Sequence, residues 1–324
     1  MHKNQAINAS YPAVLPIKLL FAPYLIVFLA IITIFVNYVL KLDLQNIFPT
    51  SAEQLLVLGI IFENPHIVAS NVMMLNREYL EFYKKKLAIG LCLIIGLSLV
   101  LITLFGVKAF LIFFYVWTIY HVIRQQIGIG KLINRESSRM YTIWGWLFLV
   151  ISLVIAFSVG YLHADALIIS RQTLLFTLSV LLILFSVFSV ICFMRLKSRQ
   201  GRLFLAANVA LVLTAVASLY AGFPLFVILL PRIVHDTTAF IIYINHETNR
   251  STPRRKLFLY RAIPSLPIWA TLLTFSLLWG AALTYSGAWI TVWIAIGLAL
   301  VHYLTEAFTW RHGSLHRKYL RLAI

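Results

Sequence analysis

The sequence predicts an all-α, polytopic membrane bundle of about ten spanning helices with both termini cytoplasmic, and three observations carry that prediction. The 324 residues are 61% hydrophobic and only 11% charged, with mean hydropathy +0.91, far from the roughly 25% charged residues of soluble domains. Apolar runs long enough to cross a bilayer recur along the whole chain. The basic residues gather in short clusters between those runs, so the formal charge of +17 reads as an orientation signal and not as a nucleic-acid surface.

Taken in order, the predicted spans are residues 18–40, 52–76, 87–106, 108–129, 141–162, 173–194, 203–222, 225–248, 264–285 and 288–308. The opening segment "MHKNQAINASYPAVLPIK" is too long and polar for a usual signal peptide, so the first span is expected to stay in the mature protein. Cys92 and Cys192 lie within apolar runs, which argues against a disulfide or a thiolate metal site. No internal repeat, low-complexity tract or long linker divides residues 1–324, which are read as one helical domain with a short basic tail, 309–324.

Lysine and arginine set the expected direction. With the N-terminus inside, all of the 27 basic residues except Lys41, Lys108, Arg171 and Arg232 fall in cytoplasmic segments. The expected location is the bacterial inner membrane. The same vote makes 52–76 a true crossing and converts position along a helix into depth, at about 1.5 Å per residue.

By that measure His66, His121 and His302 share a level about 20 Å from the outer edge. His235 falls nearer the midplane, His246 reaches the cytoplasmic surface, and His2 and His163 read as solvent-exposed. Ionisable residues inside a membrane face the bundle interior and keep partners. Each of these histidines has one nearby in sequence. Glu63 and His66 form Glu-x-x-His within "FENPHI"; Gln125 follows His121 by four; Arg232 and Asp236 flank His235, with an i,i+4 ion pair expected between them; and Glu306 follows His302 by four. Pro65 is expected to break its helix, exposing polar groups toward a site.

Imidazole with carboxylate suits iron, zinc or manganese, and Glu-x-x-His is an inward-facing motif of di-iron bundles. A shared metal site is therefore expected from His66, His121, His235, His246 and His302 with Glu63, Asp236 and Glu306. His235 and His246, about 16 Å apart along one helix, cannot hold the same ion, so His246 is assigned to a cytoplasmic-side site, and His235 with Asp236 is expected either to form a second, deeper level or to support the first from below. Arg232, Gln125 and Glu247 are expected to support ligands or contact substrate. His312 and His316 have the spacing to chelate one ion from a helix. The basic residues beside them equally suit a segment held at anionic lipid.

Taken together, these scattered motifs resemble the histidine-cluster integral-membrane oxygenases: fatty-acid hydroxylases, desaturases, alkane hydroxylases and the carotenoid-cleaving membrane oxygenases. His312/His316 matches their His-x-x-x-His box in form, whereas the His-x-x-His-His boxes of desaturases are absent. The resemblance implies iron, mononuclear or dinuclear, near the cytoplasmic side, with oxidation of a lipid-like substrate. The basic cytoplasmic face would then dock a soluble electron donor. Two alternatives stay open. One is a proton-coupled transporter using Arg232, Asp236 and the helix at Pro65; the other is a bis-histidine haem protein. Zinc is the other metal considered.

Overall fold

Long runs of Leu, Ile, Val and Phe with few glycines or prolines leave the backbone no partner in a bilayer but itself, and helices result. The computed structural model describes residues 13–49, 52–134, 139–161, 170–250, 258–285 and 289–323. Its helices are α1 (Leu25–Leu40), α2 (Ala52–Met74), α3 (Arg77–Asn134), α4 (Arg139–Tyr161) and α5 (Arg171–Arg195), followed by α6 (Arg199–Tyr220), α7 (Pro224–Arg250), α8 (Phe258–Ala262), α9 (Ile268–Tyr285) and α10 (Trp289–Thr309). A 3-10 turn, Ile17–Tyr24, leads into α1. His2, Lys3, Arg135, His163, Arg254, Arg255 and Lys256 lie outside the described residues.

Among the described residues, seven helical segments are long and apolar enough to cross a membrane. Large apolar side chains such as Leu25, Phe28, Ile183 and Leu278 point outward, as expected where the solvent is lipid. The chain is an all-α integral membrane protein.

Two predicted spans fall within α3. Gly106 interrupts it with φ 81° and ψ 169°, a conformation that only glycine adopts without strain. The contacts with α10 show that the chain reverses there. Before Gly106, Gly90 lies against Leu304, and Ile94 clusters with Ile296 and Leu300. After it, Phe110 stacks on Trp293 and Thr118 hydrogen-bonds Tyr303. One half of α3 therefore runs antiparallel to α10 and the other parallel.

The expected break at Pro65 is absent: α2 continues as helix from Ala52 to Met74. A proline ring crowds the preceding turn and removes one hydrogen bond, and here α9 accommodates it. Gly280 lies so close that a Cβ there would stand 2.9 Å from Pro65 N and Cγ. Asn64 Nδ2 donates to Thr284 Oγ1 on the same helix at 3.1 Å. "FENPHI" thus presents Asn64 and Pro65 to α9, leaving Glu63 and His66 to face inward.

α7 also organises the strongly basic end of the bundle. Asn245 and Asn249 each donate to the carbonyl of Ala13, at 2.9 Å, and Asn249 donates to that of Tyr319 at 3.0 Å. Leu15–Pro16 pairs in parallel with Leu322–Ala323 beside them. The segment after α10 is thereby laid across the end of α7.

Candidate metal centre

Four helices deliver one imidazole each. His66 comes from α2, His121 from the second half of α3, His235 from α7 and His302 from α10, and all four are buried. One ligand-capable atom from each lies within 4.8 Å of the other three. Neighbouring ring centroids close a circuit: His66–His302 4.5 Å, His302–His121 4.7 Å, His121–His235 5.1 Å and His235–His66 4.9 Å. His121 Nε2 and His302 Nε2 stand 3.1 Å apart.

The donor set fits a metal ion. Both ring nitrogens of His66, both of His235 and Nδ1 of His302 are buried without a hydrogen-bond partner, a condition that costs about 1–3 kcal/mol per group unless something binds it. An ion about 2.1 Å from each nitrogen spaces its ligands about 3–4 Å apart, so a small inward movement of these rings would complete such a shell.

The carboxylates divide into different tasks. Glu306 places Oε2 3.6 Å from His121 Nε2, while its Oε1 accepts from Tyr243 OH and, at 3.1 Å, from Trp310 Nε1. Asp236 Oδ1 lies 3.8 Å from His235 Nε2, and neither of its oxygens has a hydrogen-bond partner. Glu63 is committed elsewhere: Arg232 Nη1 lies 2.7 Å from its Oε1, and Tyr303 OH donates to the same oxygen. Thr118 Oγ1 in turn holds Tyr303 OH at 2.7 Å.

Several expectations are corrected by this arrangement. Arg232 does not form its salt bridge with Asp236 one turn on; the α2–α7 packing brings Glu63 within reach instead, and Glu63 serves as a counter-ion. His235 joins His66, His121 and His302 in one group and does not form a separate, deeper level. Counting residues from assumed span ends takes every helix to start in one plane and to run at one tilt, and the convergence of His235 with the other three imidazoles departs from that assumption.

His246 stands three turns further along α7, with Glu247 and apart from the four imidazoles. Its Nε2 meets Tyr79 OH at 2.8 Å and its Nδ1 meets Glu247 Oε1 at 2.9 Å. Arg250 Nη1 donates to that Glu247 oxygen at 3.1 Å. His316 is drawn into this second cluster, stacked on Tyr79 at 3.8 Å and on His246 at 5.1 Å. Burial, followed by the charges of His246 and Arg250, holds His316 well below the ordinary imidazole range. His312 is exposed. The expected His312/His316 chelate does not form, because α10 ends at Thr309 and Gly313 (φ 79°) turns the backbone between them.

A cavity of about 430 Å³ reaches the centre from one side, with His121, Tyr303 and Glu306 at its inner end and Trp117, Tyr120 and Gln125 along it. The buried Oε1 of Gln125 has no partner. Its neighbour Gln126 accepts from Tyr24 OH at 3.0 Å. A smaller cavity, about 90 Å³, lies against Thr118 and Arg232.

Comparison with family models, with curated proteins and with solved structures gave no match. The functional reading therefore rests on the site itself.

Sequence reasoning missed Tyr243, Tyr303 and Trp310, which position Glu63 and Glu306. Two of these had an available signal. Tyr303 adjoins His302, and Trp310 follows Glu306 by four residues, the spacing that places side chains on one helix face.

Proposed function

We propose that this protein is a metal-dependent, integral-membrane oxygenase, with iron held by His66, His121, His235 and His302, acting on a lipid-like substrate. The observation that carries the proposal is the convergence of four buried imidazoles from four helices, most of them with unpartnered nitrogens. Nitrogen-rich sites without thiolate suit iron. Bound there, iron supplies activation of dioxygen toward a carbon–hydrogen bond.

The chain's own residues prepare that chemistry. The four rings fix the position of the ion, and Glu306 lies close enough to join the shell or to hold a proton beside His121. Tyr243 and Trp310 keep that carboxylate oriented. Arg232 and Tyr303 take up the charge of Glu63, which commits that carboxylate away from the imidazoles. Burial excludes bulk water, and the cavity at His121 and Glu306 admits substrate. The basic end of the bundle, carrying Lys84, Lys131, Arg199 and Arg311, is taken to face the cytoplasm of a bacterial inner membrane, with both termini and all ten crossings placed accordingly. That surface would receive an acidic electron donor.

The alternatives draw less support. A haem between two axial histidines needs a broad, flat space around its iron, which the other two imidazoles fill here. A transporter built on a helix broken at Pro65 loses that feature, since α2 is continuous.

The deciding experiment is elemental analysis of the detergent-purified protein. Stoichiometric iron, lost in His121→Ala and in His302→Ala, is the expected result. Absence of bound metal after reconstitution with ferrous iron would overturn the reading.

A further inference from the structure

The larger cavity has a chemical polarity that identifies the kind of molecule it takes. Its inner end is the His121–Glu306 edge of the metal centre, and its walls include Ile129, Leu132, Ile242 and Leu304. Along α3 its lining runs from Trp117 to Leu132, about 22 Å of helix axis. Three guanidinium groups, those of Arg124, Arg311 and Arg317, line it as well, against the single carboxylate of Glu306.

Those arginines are not there to balance acids. Among the described residues none of the three lies in a salt bridge with a carboxylate. Arg124 rests over the Tyr120 ring at 5.9 Å, and Arg317 Nη1 donates to the Trp310 carbonyl at 3.3 Å. Arg124 and Arg311 are exposed, and Arg317 is half-buried. Their remaining N–H groups are available to a ligand, and a guanidinium fork matches a carboxylate or phosphate. Gly128, exposed on the cavity wall, leaves room for a larger side chain, since a Cβ there would meet nothing within 4 Å.

We infer that this cavity binds a single-chain anionic amphiphile, such as a long-chain fatty acid. Its acid group sits at Arg124, Arg311 and Arg317, and its hydrocarbon chain is directed at His121 and Glu306. The volume is within the range of about 300–1,000 Å³ typical of sites for one small organic molecule, which favours one acyl chain over a two-chain phospholipid. This deepens the proposed function by naming its substrate class.

The test is a binding measurement with readouts independent of turnover. The full-length protein in phosphatidylcholine nanodiscs is titrated with oleic acid, and separately with oleyl alcohol, while tryptophan fluorescence is followed. Trp117 and Trp310 line the cavity and report on it. Oleic acid should saturate the signal about tenfold or more tighter than the alcohol, the advantage expected of charge-assisted hydrogen bonds. The combined variant Arg124→Gln, Arg311→Gln, Arg317→Gln should erase that difference while retaining alcohol binding and its metal. Gly128→Leu, which fills open space, should weaken both ligands. Equal binding of acid and alcohol, or undiminished acid binding by the triple variant, overturns the inference. Displacement of oleic acid by phosphatidylglycerol in the nanodisc as effectively as by free acid overturns the single-chain assignment. Metal analysis of the same samples separates the two readings: selective acid binding without metal sinks only the oxygenase, and metal without selectivity sinks only this inference.

Discussion

His121 and His302 face each other edge to edge, Nε2 to Nε2 at 3.1 Å, although 181 residues separate them in sequence. At most one of these nitrogens carries a proton in a hydrogen bond between them, and a metal ion would need both without one. The pair is therefore a contact whose proton metal binding would displace, at a spacing that already suits two ligands of one ion.

The composition of the ring can be checked by separating two histidines on one helix. His235→Ala should lower bound metal severely, because it removes one of four converging nitrogens. His246→Ala should leave metal content near the wild-type level, since its ring nitrogens meet Tyr79 and Glu247 instead. Elemental analysis of both variants, with size-exclusion profiles as a check on folding, gives the answer. The opposite ranking would move the centre to the other end of α7.

Tyr243→Phe tests whether Glu306 is held in place by its neighbours. The substitution removes the hydroxyl that donates to Glu306 Oε1 and preserves the ring stacked on His66 at 5.5 Å. Loss of a hydrogen bond supporting a ligand typically weakens metal affinity about 10–100-fold. A chelator-competition titration should show a shift of that size; unchanged affinity would confine Glu306 to a structural role.

The Arg232–Glu63 pair is a matter of stability. Glu63→Gln leaves a buried guanidinium without its counter-charge, and breaking such a pair from one side costs about 3–5 kcal/mol. Replacing both partners, Glu63→Met with Arg232→Met, should cost less than that single change, because no uncompensated charge remains. Thermal unfolding in one detergent, compared across both variants, decides it. A double variant less stable than Glu63→Gln would show that Arg232 has another buried partner.

His316 makes the docking of the segment after α10 sensitive to acid. Tyr79 and Tyr83 face it from α3, and His246 and Arg250 from α7. Its folded-state pKa lies below that of the free imidazole, about 6.5. The unfolded segment therefore binds the proton more readily, and the stabilisation present above about 6.5 declines as pH falls below it. Hydrogen-exchange protection factors at residues 314–323, which divide out the intrinsic pH dependence of amide exchange, should fall on acidification in the wild type and much less in His316→Phe. A pH-independent protection factor in the wild type would contradict the assignment.

Much of the fold was legible because a bilayer leaves few choices. The predicted spans coincide with helices, including the two that α3 joins around Gly106, since apolar length and basic flanks are one-dimensional signals. Three of the four imidazoles were also brought together by counting depth. Partner choice was not legible. Whether Arg232 turns along its own helix toward Asp236 or across to Glu63 depends on the rotation of α2 against α7, which no spacing rule contains. Pro65 misled for a similar reason: the space for its ring is supplied by Gly280, 215 positions away. The register of His312 and His316 was lost at Gly313, where a positive φ ends the periodicity that their spacing assumed.

The four imidazoles occur in the order 66, 121, 235 and 302, so the helix at 289–309 contributes the final nitrogen donor. A ribosome feeding this chain into the membrane has exposed three of them well before that helix emerges. The completed pocket for the ion thus comes into being only after residue 302 has been inserted and packed against α3. On the proposed reading, insertion precedes metallation, and whatever supplies the metal in the cell has to reach a bundle that is already assembled.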